Sequence, residues 1–146
     1  MSTWSAGAAQ RDSERQELSR LRLEKTVQDR RIIDRKGNVQ WALLRALIGA
    51  ECKAFNGEPG KTGTLSCYAD LLQCRISLTG RQPCIIGKFG DATIWFTGKI
   101  PVRYEGYWHI KLTDDELDVW LSDSTGSPTT IEEIASTVID VLLEYR

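Results

Sequence analysis

The chain has one histidine, one methionine and four prolines among its 146 residues. A lone histidine, His109, leaves general acid-base chemistry without an obvious partner, because no serine or cysteine stands in a nucleophile context and no carboxylate sits at a marking distance. The four cysteines, Cys52, Cys67, Cys74 and Cys84, include no Cys-x-x-Cys pair and no accompanying histidines, so a zinc knuckle is not indicated. They are expected to be reduced thiols acting as small buried hydrophobes. No run approaches the ~18 to 20 apolar residues that a bilayer-spanning helix needs. The first thirty residues also lack the apolar core of a secretory signal. A cytoplasmic protein with no membrane partner is the expectation.

Other chemistry falls away on inspection. Gly60-Lys61-Thr62 resembles the end of a phosphate-binding loop, but Phe55 stands where the first glycine is required. A helix is also expected before the loop, where such a site needs a strand. The acidic run Asp114, Asp115, Glu116 and Asp118 has oxygen donors for a divalent cation, yet acidic turns of this kind commonly serve only to solvate a hairpin. No cofactor, no metal site and no small-molecule substrate is expected, and the chain is read as a non-enzyme.

What the sequence does have is a long Pro-free stretch, from residue 11 to residue 55. Its first half is charge-rich, with nine basic and six acidic side chains between Arg11 and Lys36. Strong helix formers and opposite charges at helical spacing predict a helix there. Its apolar positions are Leu18, Leu21, Leu23, Val27, Ile32 and Ile33. A strict heptad puts Leu18, Lys25, Ile32 and Val39 at one seam position and Leu21, Gln28 and Arg35 at the other, a polar seam for a coiled coil. Gly37-Asn38 offers a stop and restart. Beyond it Val39, Leu43, Leu44, Leu47, Ile48, Cys52 and Phe55 give a wide apolar face, so this second half is expected in the core.

Residues 65–121 alternate in period two and predict an antiparallel meander. Leu65 to Leu71 and Leu72 to Leu78 are in opposite phase, which calls for a bulge, a break or a short helix near Ala69 to Gln73. Hairpins are expected at Gly90-Asp91 and Glu105-Gly106, an edge or corner at Pro101, and a strand from Leu117 to Leu121. Thr129 with Glu132 reads as a capping box for a last helix whose core face starts at Ile131. The fold class is α+β, with a long or broken N-terminal helix, an antiparallel β-meander of about five to seven strands, and a C-terminal helix. Residues 1–10 are expected to be a flexible tail, 11–36 a charged helical arm, and 37–146 a single α+β domain.

Charge is unevenly placed. Residues 37–112 hold nine basic and five acidic side chains, whereas residues 113–146 hold one basic and nine acidic. The acidic quarter is expected to face basic parts of the same fold. Period two also gathers aromatics: with Ile94, Phe96, Trp108 and Ile110 inward, the opposite sheet face collects Trp95, Tyr107, His109 and Trp120. The expected arrangement covers one sheet face with the helix of residues 39–55 and the other with the C-terminal helix.

A helix from Arg11 to Phe55 would be roughly 65 Å long, about twice the span of a small domain. Part of it must project, fold back or dock elsewhere. The sequence therefore points to a non-enzymatic protein-interaction module, an adaptor, inhibitor or assembly subunit, with a protein partner or a homo-oligomer. Its expected contacts are Leu18, Leu21, Arg30, Arg31, Ile32 and Arg35 on the arm, with Trp95, Tyr107, His109 and Trp120 on the sheet. The alternative is a nucleic-acid-associated factor using the basic residues of the arm.

Overall fold

The structure, a computed structural model, describes residues 3–60, 63–78, 84–99 and 103–144. The expectations for Pro101, for the loop of residues 79–83 and for Lys61-Thr62 lie outside them. Helix α1 spans Thr3–Gly57. Seven strands follow: β1 (Leu65–Ala69), β2 (Gln73–Leu78), β3 (Cys84–Gly90), β4 (Thr93–Lys99), β5 (Arg103–Leu112), β6 (Val119–Ser122) and β7 (Pro128–Thr129). Helix α2 (Ile131–Glu144) ends the fold. The strands pair in sequence order, all antiparallel, as a curved half-barrel. The α+β expectation holds, at the upper end of the strand count.

Helix α1 is one piece. Thr3 to Gln10, expected as a flexible tail, are helical, and the helix runs through Gly37-Asn38 without a break. Gly37 is there for closeness: a Cβ at that position would come within 2.8 Å of Ile110 Cδ1 and 2.9 Å of Phe89 Cζ. The helix crosses the sheet at this point, and only a residue without a side chain lets the backbone approach. From here on, Trp41, Leu44, Ile48 and Cys52 recur on one face and are buried.

The sheet supplies the opposing layer. Cys74, Ile76, Leu78, Ile85, Ile94, Phe96, Trp108, Ile110 and Leu121 point to the same core, as do Ile134, Ala135, Val138 and Leu142 of α2. Its centre is aromatic. Trp41 stacks on Phe89 at 6.5 Å between centroids, and Phe96 meets Trp108 edge-on at 5.9 Å. Gly87 lies opposite Phe96 in the register, leaving space for that ring.

Both helices thus pack on one face of the sheet, against the expectation of one on each. The reason is curvature: the inner side of the half-barrel is long enough to hold α1 and α2 side by side, and they touch each other. Several turns also differ. The phase flip near Leu71 is a hairpin, with Asp70 Oδ1 accepting the amides of Leu72 and Gln73 at 2.8 and 2.9 Å. The β3–β4 turn is Asp91-Ala92, both at positive φ (49° and 55°), one residue later than expected. Glu105-Gly106 is no turn but the middle of β5, with Gly106 opposite Phe96. Leu117 lies in the β5–β6 turn and is 70% exposed, so the last inward-facing strand begins at Val119. The cap of α2 is Thr130, whose Oγ1 accepts the Glu133 amide at 3.2 Å.

Candidate functional surfaces

Two surfaces collect the residues singled out from the sequence. The first is the N-terminal half of α1. All residues from Ala9 to Gln28 are exposed, Leu18 at 53% and Leu21 at 48%, and Trp4 at the start stands 75% free. Helicity in this segment draws on local pairs. Arg20 bridges Glu17 and Glu24, Lys25 meets Asp29 at 3.1 Å, and Arg30 meets Asp34 at 3.2 Å. Each such exposed pair is screened by water and salt and contributes little.

Three contacts tie the middle of α1 to sheet turns. Lys25 Nζ reaches Glu116 at 2.9 Å, Lys36 Nζ reaches Asp118 at 3.7 Å, and Arg30 reaches Asp91 at 2.8 Å. The acidic β5–β6 turn is thereby accounted for. Asp115 accepts the Thr113 hydroxyl and the Leu117 amide, which hold its carboxyl below the usual range. Glu116 and Asp118 face arm lysines, so part of the acidic quarter does meet the basic arm. Among the described residues, no group of three or more His, Cys, Asp or Glu side chains is gathered as a metal site.

Of the expected arm contacts, Arg30 is thus committed to Asp34 and Asp91. Arg31 and Arg35 are different: both are exposed, and neither has an ion pair among the described residues. With Gln28, Ile32, Asp34 and Leu117 they line an open groove of about 720 Å³. Gln28, Arg31, Ile32 and Arg35 follow i, i+3, i+4, i+7, the spacing of a hole that receives a side chain from a neighbouring helix. The exposed face continues along the docked half through Val39 and Leu43, both about half exposed. Farther along lie Ala46, Gly49 and Ala50, which line a second groove of about 380 Å³ next to β1. This continuation was not anticipated, because the sequence left open whether the helix runs through Gly37 and assigned residues 39–55 to the core.

The second surface is the outer sheet face. Register places Trp95 opposite Tyr107, His109 opposite both Thr93 and Ser122, and Trp120 opposite Lys111. The four expected residues do share one face, and neither helix packs on it. Tyr107 is 43% exposed, whereas Trp95, His109 and Trp120 are half-buried among strand neighbours. Trp120 Nε1 donates to Leu112 O at 3.1 Å and its ring lies 5.5 Å from Lys111 Nζ. His109 Nδ1 lies 3.4 Å from Thr93 Oγ1. These contacts hold the rings in place.

A thiol cluster sits inside the core edge. Cys67 Sγ and Cys74 Sγ are 3.9 Å apart, with Cys52 beside them. Hydrogen bonding from Cys52, and then from Cys74, lowers the Cys67 thiol, while those contacts and burial raise the other two. Cys84 stands apart and takes a hydrogen bond from Arg75 Nε at 3.2 Å.

No family model matches the sequence, and neither a curated protein nor a solved structure matches it.

Proposed function

We propose that this protein is a non-enzymatic interaction module, an adaptor, inhibitor or assembly subunit, whose contact element is helix α1. The observation that carries this reading is the exposure of α1 from Ala9 to Gln28, with Leu18, Leu21, Leu23 and Val27 in solvent. A helix held by local ion pairs alone is marginal in water, and most helical stability comes from packing an apolar face. A partner surface would supply what the body does not. The outer sheet face, with Tyr107 and Trp95, is a second contact of the aromatic type that anchors protein interfaces.

The test is the mass of the intact assembly recovered from cells that make the protein, for the natural chain and for Leu18→Lys/Leu21→Lys. Both leucines are exposed, so the fold is retained. A stoichiometric protein assembly that the double variant loses supports the reading. A chain recovered alone, at 16.5 kDa, rejects it.

A second reading is nucleic-acid binding, favoured by Arg31 and Arg35 beside the groove, neither of which has an ion pair among the described residues. It requires affinity for DNA or RNA that falls steeply with salt and drops when Arg30, Arg31 and Arg35 are neutralised. The carboxylates interleaved along the arm argue against it.

A further inference from the structure

We infer that Cys67 is a modification site for hydrogen peroxide and small organic hydroperoxides, and that its oxidation ends in a disulfide to one of the two thiols beside it, Cys52 or Cys74. This goes beyond the interaction-module reading and does not depend on it.

Three elements bring the thiols together. Cys52 lies on the buried face of α1, one turn after Ile48. Cys67 of β1 and Cys74 of β2 stand on neighbouring antiparallel strands. The register sets Cys67 opposite Ile76 and Ala69 opposite Cys74, which turns both sulfurs to the inner face of the sheet. They are 3.9 Å apart, and Cys52 completes the group from the helix side. A disulfide needs about 2 Å between sulfurs, so the strand pair closes by a movement that rotation about the Cα–Cβ bonds supplies.

The cluster is reached from solvent through the groove of about 380 Å³ beside β1. Cys52 and Cys67 line it with Ala46, Gly49, Ala50 and Lys53. Small residues on the helix side keep it open, since a Cβ on Gly49 would meet nothing within 4 Å. Cys67 is half-buried, whereas Cys52 and Cys74 are 3% and 0% exposed, so a small peroxide meets Cys67 first. Hydrogen bonds from Cys52 and Cys74 favour the Cys67 thiolate, the form that attacks a peroxide.

The reaction balances with the peroxide as the sole oxidant. The Cys67 thiolate attacks one peroxide oxygen, an S–O bond forms, the O–O bond breaks, and the second oxygen leaves as hydroxide. The neighbouring cysteine then gives up its proton and attacks the sulfenic sulfur. An S–S bond forms, the S–O bond breaks, and the departing hydroxide takes up a proton. In sum, two thiols and one hydrogen peroxide give one disulfide and two waters, while an organic hydroperoxide gives one water and one alcohol. Three thiols allow one bond, and the third stays reduced. Either bond fastens β1, the edge strand of the sheet.

Cys84 is the internal control. It lies on β3 opposite Ser77 and takes its hydrogen bond from the exposed Arg75, on the outer face of the sheet and away from the cluster.

The test is treatment of the folded full chain with hydrogen peroxide, read by intact mass and by peptide mapping after cleavage at Asp70, which separates Cys67 from Cys74. The expected product is one disulfide within the chain that includes Cys67, with Cys84 still reduced and the starting mass restored by dithiothreitol. It should form at least about tenfold faster than any oxidation of Cys84. Cys67→Ser should abolish it. Cys52→Ala with Cys74→Ala should stop at a Cys67 sulfenic acid that a dione traps, and the mapping of the natural chain decides the matter where that double variant fails to fold. A disulfide that omits Cys67, a bond between chains, or a Cys67 that reacts no faster than Cys84 overturns the inference.

Discussion

Gly37 and Ile110 lie so close that a single added methyl on the glycine would come within 2.8 Å of Ile110 Cδ1. This contact is where the arm becomes core. N-terminal to it the helix is held by turn carboxylates and by Ile33 at the core's edge, and C-terminal to it Trp41, Leu44, Ile48 and Cys52 are buried. Gly37→Ala gains about 1 kcal/mol of helix propensity but overpacks the crossing at a cost of about 1 to 3 kcal/mol. A net loss of up to about 2 kcal/mol is expected in denaturant unfolding. A gain would mean the helix does not approach the sheet this closely.

The two faces of the sheet should respond differently to truncation. Phe96→Ala removes a fully buried ring and is expected to cost about 3 to 5 kcal/mol. Tyr107→Ala, one strand away on the outer face, should cost less than about 1 kcal/mol. Equal losses by thermal or chemical unfolding would show the outer face to be covered.

Acid should loosen the turns. Asp70 is held below its ordinary pKa chiefly by the Gln73 amide, Asp115 by the Thr113 hydroxyl and Asp123 by the Thr125 hydroxyl. Groups depressed in the folded state add stability that is complete above the unfolded carboxylate value near 4 and is lost as pH falls through the folded values. The melting temperature is expected to fall below about pH 4. Asp123→Asn should lower it at neutral pH and flatten the acid limb. An unchanged acid limb in that variant contradicts the assignment.

Cys67 should be the reactive member of the thiol cluster. With its thiol lowered by Cys52 and Cys74, it should alkylate in the native protein ahead of Cys52 and Cys74. Faster labelling of Cys52 or Cys74 would refute this.

Much of the fold is readable from periodicity. The inward alternation of Ile94, Phe96, Trp108 and Ile110, and the sharing of a face by Trp95, Tyr107, His109 and Trp120, follow from period two alone. Glycine is where local reading fails. Gly37 and Gly106 carry helix-end and turn signals, yet both serve close packing, against Ile110 and Phe89 in one case and beside Tyr104 and Trp108 in the other. Such a use depends on residues far away in sequence. Whether the helix continues through Gly37 was left open for the same reason, since a stop signal and a close-packing glycine look alike in sequence. The placement of both helices on one face depends on sheet curvature, which no short window of sequence encodes.

The most direct measurement is amide hydrogen exchange along Arg11 to Gln28, in the isolated chain and in the assembly recovered from cells. An arm docked on a partner should be protected in the assembly and exchange faster in the isolated chain, and Leu18→Lys/Leu21→Lys should abolish the difference. An arm that exchanges at the same rate in both would contradict the account.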